Sequence, residues 1–185
     1  MSSSLKFSVP KSEAAIRQLT TAIRLLFQDG DLISVHTLAA SALEVLADLC
    51  DKTDVKSWRD HAFQESGLTR KDYNDLLHRQ WNAIKHADRE QKDVAFDEED
   101  ARTILFFAIL EMGILKLEQT MEIGVYQIWY LAVRREELLS APGFDGEARA
   151  FLQPGLETFR GIETMDREQQ LAFGLRVLES TGEPI

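Results

Sequence analysis

Residues 69–88 read TRKDYNDLLHRQWNAIKHAD, and this stretch decides the fold. Thr69 is followed three residues later by Asp72, an arrangement close to a capping box, which predicts that a helix begins here. At about 100° per residue, the apolar side chains of the stretch fall on one side of that helix. They are Tyr73, Leu76, Leu77, Trp81 and Ile84. The pattern predicts an amphipathic helix that packs on a core of other helices.

The opposite side of this motif helix carries a polar trio. Arg79, Asn82 and His86 are separated by three and four residues, so they share one helix face. That face points away from the chain's own core. We therefore expect the trio to face solvent or another subunit.

Helical periodicity continues on both sides of the motif helix. Apolar residues recur at spacings of three and four in further segments, and no alternating strand pattern of useful length is present. These segments are approximately 12–29, 32–50, 55–65, 98–117, 119–139 and 157–180. The sequence predicts an all-α fold, with a bundle of four to five core helices over 1–140. Residues 141–185 are expected to form a helical extension packed on the same domain.

Capping residues, glycines and prolines mark the expected helix ends. Gly30 suits the left-handed position after a helix, and Asp31 suits the N-cap of the next one. Asp97 is predicted to cap the helix that starts at residue 98. The Pro-Gly pairs at 142–143 and 154–155 are predicted to break the chain.

The composition is that of a soluble, acidic protein. The 185 residues include 21 Lys and Arg against 31 Asp and Glu, giving a formal net charge of −10. This balance opposes non-specific binding to nucleic acid or anionic membranes. The single cysteine, Cys50, excludes an internal disulfide and suits a reducing cytosol. No apolar signal segment begins the sequence, and the longest apolar run is too short to span a bilayer, so a cytoplasmic location is expected.

Charge is distributed unevenly around the polar trio. Residues 70–92 hold six basic side chains against four acidic ones, whereas residues 93–100 hold five acids and no base. A protein that is acidic overall can therefore still hold one phosphate in a local basic site.

The segment 104–117 is apolar almost all round. One domain of this size rarely buries a helix on every side. One explanation is a homodimer formed through this helix and the motif helix. The other is that the C-terminal helices cover the excess apolar surface, and the sequence does not choose between them.

An arginine and a histidine on one helix face can serve phosphodiester cleavage. His86 would act as general base or acid near neutral pH. Arg79 would clamp the phosphate and stabilise its developing charge, and Asn82 would orient His86 or the substrate. No metal is needed if the 2′-hydroxyl of RNA is the nucleophile. The alternative is a solvated helix face, or an interface network in which Asn82 and His86 satisfy backbone groups.

The all-helical layout with an R-x4–6-H motif, here Arg79 to His86, resembles the HEPN superfamily. The resemblance implies a small helical bundle that is often homodimeric. It also implies a metal-independent ribonuclease or RNA-binding protein, in which Arg79 and His86 of each subunit meet at a dimer cleft. Gln80 departs from the family pattern, which usually has Asn, Asp or His after the arginine.

A second resemblance covers roughly residues 12–135. The run N-x-x-K-H-A-D at 82–88, the run ISVHTLAA at 33–40 and the run E-x-x-V-Y-x-x-W-Y at 122–130 resemble a group of bacterial proteins of no known activity. This likeness implies a bacterial protein but no reaction. The alternative function is therefore a non-catalytic helical interaction or dimerisation module with an unknown partner.

His36 raises the question of a metal site. It could approach His86, with Glu44 or Asp88 nearby, but the sequence lacks the tighter H-x3-H and E-x-x-H spacings of helical metal sites. A histidine at the edge of an apolar face is more often a hydrogen-bonded structural residue. We expect no metal and no cofactor, and the sequence leaves open whether His36 joins Arg79 and His86.

Overall fold

The computed structural model describes residues 6–53, 55–85, 93–141 and 146–181 of the chain. Within these ranges the protein is an all-α helical bundle without strands, which confirms the predicted fold class. The helices are α1 (Lys11–Phe27), α2 (Leu32–Lys52), α3 (Trp58–Ser66), α4 (Arg70–Lys85), α5 (Glu98–Ile114), α6 (Met121–Val133), α7 (Arg135–Ser140), α8 (Gly146–Thr158), a 3₁₀ turn (Ile162–Thr164) and α9 (Arg167–Thr181).

The centre of the bundle is α2, which packs extensively against both α1 and α5. Helix α6 packs on α1 and α5, and it carries α8 and α9 on its outer side. The largest buried aromatic rings meet where α1 and α6 cross. Phe27 lies 5.3 Å from Trp129 and 6.1 Å from Tyr126, measured between ring centroids. The smaller helices α3 and α4 pack on α5 and α2 respectively, which places the motif helix α4 at the edge of the core.

Among the described helices, only α2 is long and apolar enough to cross a membrane. A core helix passes the same test of length and composition. In this structure 44% of its most apolar window is buried inside the protein, and α1 and α5 pack along it.

Helix starts follow the capping residues that the sequence predicts. The side-chain oxygens of Asp31, Thr69 and Asp97 accept hydrogen bonds from backbone N–H groups two or three residues later, at 2.8 to 3.2 Å. Each bond satisfies a donor that has no partner within the helix. The three predicted caps are confirmed, and the hydroxyl of Thr69 also donates a hydrogen bond to Oδ2 of Asp72 at 2.7 Å.

The turn between α1 and α2 differs from the expectation for Gly30. Asp29, with φ of 52°, takes the left-handed conformation instead. The N–H of Gly30 donates to the Leu25 carbonyl at 2.8 Å, and a Cβ at this position would lie 3.0 Å from that oxygen. Glycine is therefore favoured by the close approach of two backbone segments, not by a positive φ.

The predicted break at Pro154-Gly155 is wrong, because both residues lie inside α8. Proline removes one helical hydrogen bond, and Pro154 does so on the exposed side of the helix. Gly155 faces Ile128 of α6, where a Cβ would lie 3.0 Å from that side chain. Packing on α6 therefore holds α8 together through the Pro-Gly pair. The predicted segment 119–139 is likewise divided between α6 and α7.

The position of α3 differs from the expectation of its apolar spacing, which predicts that Val55, Trp58, Ala62 and Phe63 face inward. In the structure 39% of the surface of Val55 and 38% of that of Trp58 is exposed. No described residue of α3 is buried, so this helix lies on the surface of the bundle. Its attachment depends on hydrogen bonds more than on apolar contacts.

Helix α5 is covered over most of its circumference by other helices of the same chain. Its inner side is fully buried against α2, α6 and α1. Phe106 stacks on Tyr130 of α6, with ring centroids 4.4 Å apart. A strip formed by Phe106, Leu110 and Ile114 stays only half-buried. The C-terminal half of the chain thus covers part of the apolar surface of α5. The strip of Phe106, Leu110 and Ile114 is covered only in part.

Candidate functional site

A cavity of about 830 Å³ lies between α2, α4 and α5. Helix α4 supplies Tyr73, Arg79, Gln80 and Ala83 to its wall, and α2 supplies His36. The remaining described lining comes from Ala62, Asp93, Val94, Ala95, Phe96, Asp97, Glu98, Asp100, Thr103, Ile104 and Phe107. The volume falls within the range of small-molecule sites in proteins.

The predicted polar trio is only partly brought to this cavity. Arg79 is exposed and lines it, and no carboxylate of the described residues bonds its guanidinium. Asn82 is half-buried and does not belong to the described lining. His86 lies outside the described residues. Arg79 is thus the only one of the three that the described structure assigns to the cavity.

Gln80, the departure from the HEPN pattern, has a defined role in the wall of the cavity. Its Nε2 donates a hydrogen bond to Oδ2 of Asp100 at 2.7 Å, which joins α4 to the first turn of α5. This donation fixes the orientation of the amide, because a carboxylate accepts only from the nitrogen. The Oε1 atom is then buried without a hydrogen-bond partner among the described residues.

His36 forms the floor of the cavity on α2 and is only 1% exposed. Its ring meets Phe96 edge to face, at 5.5 Å between centroids. Burial lowers the pKa of His36 below its usual 6.5, and the nearby Asp100 carboxylate opposes that shift. The Nδ1 atom of His36 has no hydrogen-bond partner in the described part of the chain.

Tyr73, on the first turns of α4, is 5% exposed and anchors this helix against α3. Its ring meets Phe63 at 5.5 Å between centroids. Burial raises the pKa of the Tyr73 hydroxyl, so this group stays protonated at neutral pH. The hydroxyl oxygen is buried without a partner within the described ranges. An unsatisfied buried polar group costs about 1–3 kcal/mol, so three of them in one cavity wall require an explanation.

The described lining of the cavity is acidic. It contains four carboxylates and one guanidinium, that of Arg79. The carboxylate of Glu98 is neutralised by ion pairs with Arg102 and Arg167. Asp93, Asp97 and Asp100 have no arginine or lysine partner among the described side chains, although Asp97 caps α5. The cavity therefore favours positively charged groups over phosphates.

Sequence reasoning missed Tyr73, Gln80 and Asp100 as site residues. Tyr73 fits the apolar stripe of α4, Gln80 is an ordinary polar residue on a helix, and Asp100 suits a helix first turn. Their common site depends on how α4 packs against α5. No pattern within either helix carries that information.

Within the described ranges, no group of three His, Cys, Asp or Glu side chains is arranged to hold a metal ion. Comparison with known proteins finds no match for this chain among family models, curated proteins or solved structures. The cavity between α2, α4 and α5 and the exposed surfaces of α4 and α5 are therefore the observations on which a function can be based.

Proposed function

We propose that this protein is a HEPN-like, non-catalytic helical module that pairs with a second copy of itself through α4 and α5. The observation that carries the proposal is the half-buried strip of Phe106, Leu110 and Ile114 on α5. Leu110 and Ile114 do not pack against the described hydrophobic core. An apolar strip that the chain itself covers only in part is typical of an interface between subunits.

The charge of the neighbouring cavity supports a non-catalytic role. Arg79 shares the described lining with four carboxylates, and the chain as a whole carries a formal charge of −10. A phosphodiester brought to Arg79 would be repelled by Asp93, Asp97 and Asp100. Electrostatic repulsion of this kind opposes both encounter with RNA and its retention.

The test is the oligomeric state of the wild type beside Leu110→Glu, measured by analytical ultracentrifugation at micromolar concentration. We expect the wild type to sediment as a dimer and Leu110→Glu as a monomer with unchanged helical circular dichroism. Phe151→Glu is the matched control, because Phe151 lies on α8 and is 84% exposed. It should stay dimeric. A monomeric wild type would contradict the proposal.

A second candidate is a metal-independent ribonuclease with Arg79, Asn82 and His86 as catalytic residues. It is favoured by the exposed, unpaired guanidinium of Arg79 within the described structure, on a helix that also exposes Arg70, Lys71 and Lys85. Arg79 would bind the scissile phosphate, and His86 would transfer protons to and from the attacking 2′-hydroxyl and the leaving 5′-oxygen.

Cleavage of a mixed RNA pool in EDTA separates the two candidates. The ribonuclease predicts cleavage by the wild type, and loss of it in His86→Ala and Arg79→Ala. The non-catalytic module predicts no cleavage above the level of the His86→Ala protein. Lys71→Ala is the control for lost positive charge on α4, and it should leave any cleavage intact.

A further inference from the structure

Three atoms in the wall of the cavity between α2, α4 and α5 are buried and have no hydrogen-bond partner in the part of the chain that the structure describes. They are His36 Nδ1, Tyr73 Oη and Gln80 Oε1, which we name the open acceptors. His36 and Tyr73 are more than nine-tenths buried. Native structures leave few such groups unsatisfied, so three in one cavity wall point to a bound partner outside the described chain.

The open acceptors share one chemical property, which is that each can accept a hydrogen bond. The Gln80 oxygen can do nothing else, because the Nε2 of the same amide already donates to Asp100. The imidazole of His36 is held neutral by burial, so one ring nitrogen is an acceptor. The Tyr73 hydroxyl can accept while it donates elsewhere. A ligand that satisfies all three atoms must therefore bring N–H or O–H donors.

The charge around the open acceptors selects among such ligands. Asp93, Asp97 and Asp100 line the same cavity, and the only lining cation among the described residues is the exposed Arg79. Carboxylates in a partly enclosed cavity attract positive charge and repel anions. The donors of the ligand are therefore expected to sit on a cationic nitrogen.

The rest of the wall is apolar and aromatic. Ala83 of α4 and Ile104 and Phe107 of α5 contribute aliphatic and aromatic surface, and Phe96 packs on His36. Apolar walls with a few converging polar groups are the common form of small-molecule sites. Aromatic rings beside carboxylates also attract organic cations through their negative faces.

We propose that this cavity binds a small organic ammonium compound. Its N–H groups bond the open acceptors, its charge is balanced by the carboxylates of the lining, and its apolar body lies against Phe96 and Phe107. The site shares α4 and α5 with the proposed interface but contains none of the strip residues Phe106, Leu110 and Ile114. Amine binding and the oligomeric state are measured separately, so either proposal can fail alone.

The first experiment is isothermal titration calorimetry of the full chain with phenethylamine, tryptamine and spermidine. We expect at least one amine to bind with one site per chain. The charge controls are 2-phenylethanol, a neutral relative of phenethylamine, and phenylacetate, an anionic one. The neutral compound should bind at least about tenfold more weakly than phenethylamine, and the anion should not bind. Equal binding of the three phenyl compounds, or no saturable binding of any amine at concentrations on the order of 1 mM, would overturn the proposal.

Two substitutions test the residues that would hold the ammonium group. Tyr73→Phe removes an open acceptor without changing the shape of the wall, and Asp100→Asn removes charge while keeping an acceptor for Gln80. Each should weaken binding of the tightest amine by about tenfold. The control is Tyr126→Phe, because the hydroxyl of Tyr126 donates to the Arg102 carbonyl outside the described lining of the cavity. It should leave binding unchanged.

Thermal unfolding without ligand separates a binding role of Tyr73 from a structural one. Because the Tyr73 hydroxyl has no partner among the described residues, Tyr73→Phe should leave Tm unchanged or raise it. Tyr126→Phe should lower Tm, since it removes a hydrogen bond of 2.7 Å. A lowered Tm in Tyr73→Phe together with unchanged amine binding would show that Tyr73 is a structural residue and would overturn its part in the site.

Discussion

At Glu111 a single carboxylate joins three parts of the fold. It is fully buried on α5 and accepts hydrogen bonds from the backbone N–H groups of Trp58 and Arg59, at 3.0 and 2.9 Å. The Cys50 thiol of α2 donates to the same carboxylate at 3.4 Å. The first N–H groups of a helix have no partner within it and carry partial positive charge. Glu111 therefore attaches α3 to the bundle by satisfying the start of that helix.

Substitution of Glu111 by Gln should destabilise the protein. An amide offers one acceptor oxygen, so its NH₂ group would face an N–H donor at Trp58 or Arg59. We expect a loss of about 2 kcal/mol in the free energy of unfolding, measured by urea titration. Glu118→Gln, on the exposed chain after α5, is the control and should change stability by less than about 0.5 kcal/mol. Equal stability of the two variants would contradict this role for Glu111.

Cys50 should be inert in the folded protein. Burial, with the hydrogen bond to Glu111 and the charge of that carboxylate, raises the pKa of the thiol to about 12. The nucleophilic thiolate is therefore scarce at pH 8. Labelling with iodoacetamide at this pH, followed by mass spectrometry, should modify Cys50 rapidly in denaturant and only slowly in the native protein. Rapid modification of the native protein would contradict the prediction. The apolar sequence context of Cys50 predicts a buried small residue rather than a nucleophile, and the structure confirms that Cys50 is buried.

At the scale of helices, glycines decide how closely two of them approach. A Cβ on Gly174 of α9 would lie 2.4 Å from the ring of Phe27 on α1, which cannot be accommodated without movement. Gly124 of α6 has open space instead, because no atom lies within 4 Å of its hypothetical Cβ among the described residues. The same substitution should therefore have opposite effects at these two positions.

We expect Gly174→Ala to destabilise the protein by about 1–3 kcal/mol through overpacking against Phe27. Gly124→Ala should stabilise it by about 0.5–1 kcal/mol, since alanine loses less conformational freedom in a helix. Urea unfolding of both variants beside the wild type checks the signs. Unchanged or raised stability of Gly174→Ala would show that the close approach of α9 to α1 does not limit the side chain at position 174.

Helix positions were predictable because their signals are local. Asp31, Thr69 and Asp97 cap the helices that they were expected to cap, and apolar spacing identified α1, α2, α4 and α5. The Pro-Gly pair at 154–155 misled the prediction, because packing of α8 on α6 outweighs a local break signal. The cavity was not predictable for a related reason. The open acceptors belong to two helices, and only the packing of α2, α4 and α5 brings them together.

For the whole molecule, the stability of the fold should depend on pH through His36. Burial lowers its pKa below 6.5, so the unfolded chain binds the proton more readily than the folded one. The stability associated with neutral His36 is therefore complete above pH 6.5 and is lost progressively as pH falls below it. We expect a loss of up to about 1.4 kcal/mol per pH unit in this window.

The measurement is the free energy of unfolding from urea titrations at pH 7.5, 6.5, 5.5 and 5.0, conditions chosen to bracket an ordinary histidine pKa of about 6.5. His36→Gln should lower stability at pH 7.5 and show a shallower fall toward pH 5.0. The slope of the free energy of unfolding against pH is the diagnostic quantity, because it does not depend on how much the substitution disturbs packing. Parallel slopes in the two proteins would show that His36 is not the group responsible.

The attachment of α3 through Glu111 has a kinetic consequence. Helix α3 has no buried residue in the described structure, so it is expected to detach before the rest of the bundle unfolds. Detachment would break the contact of Glu111 with α3 and admit solvent to the Cys50 thiol beside it. Ala62 of α3 would leave the cavity wall in the same event. The rate at which Cys50 is labelled in the native protein therefore reports the rate of this local opening. A compound that occupies the cavity should lower that rate.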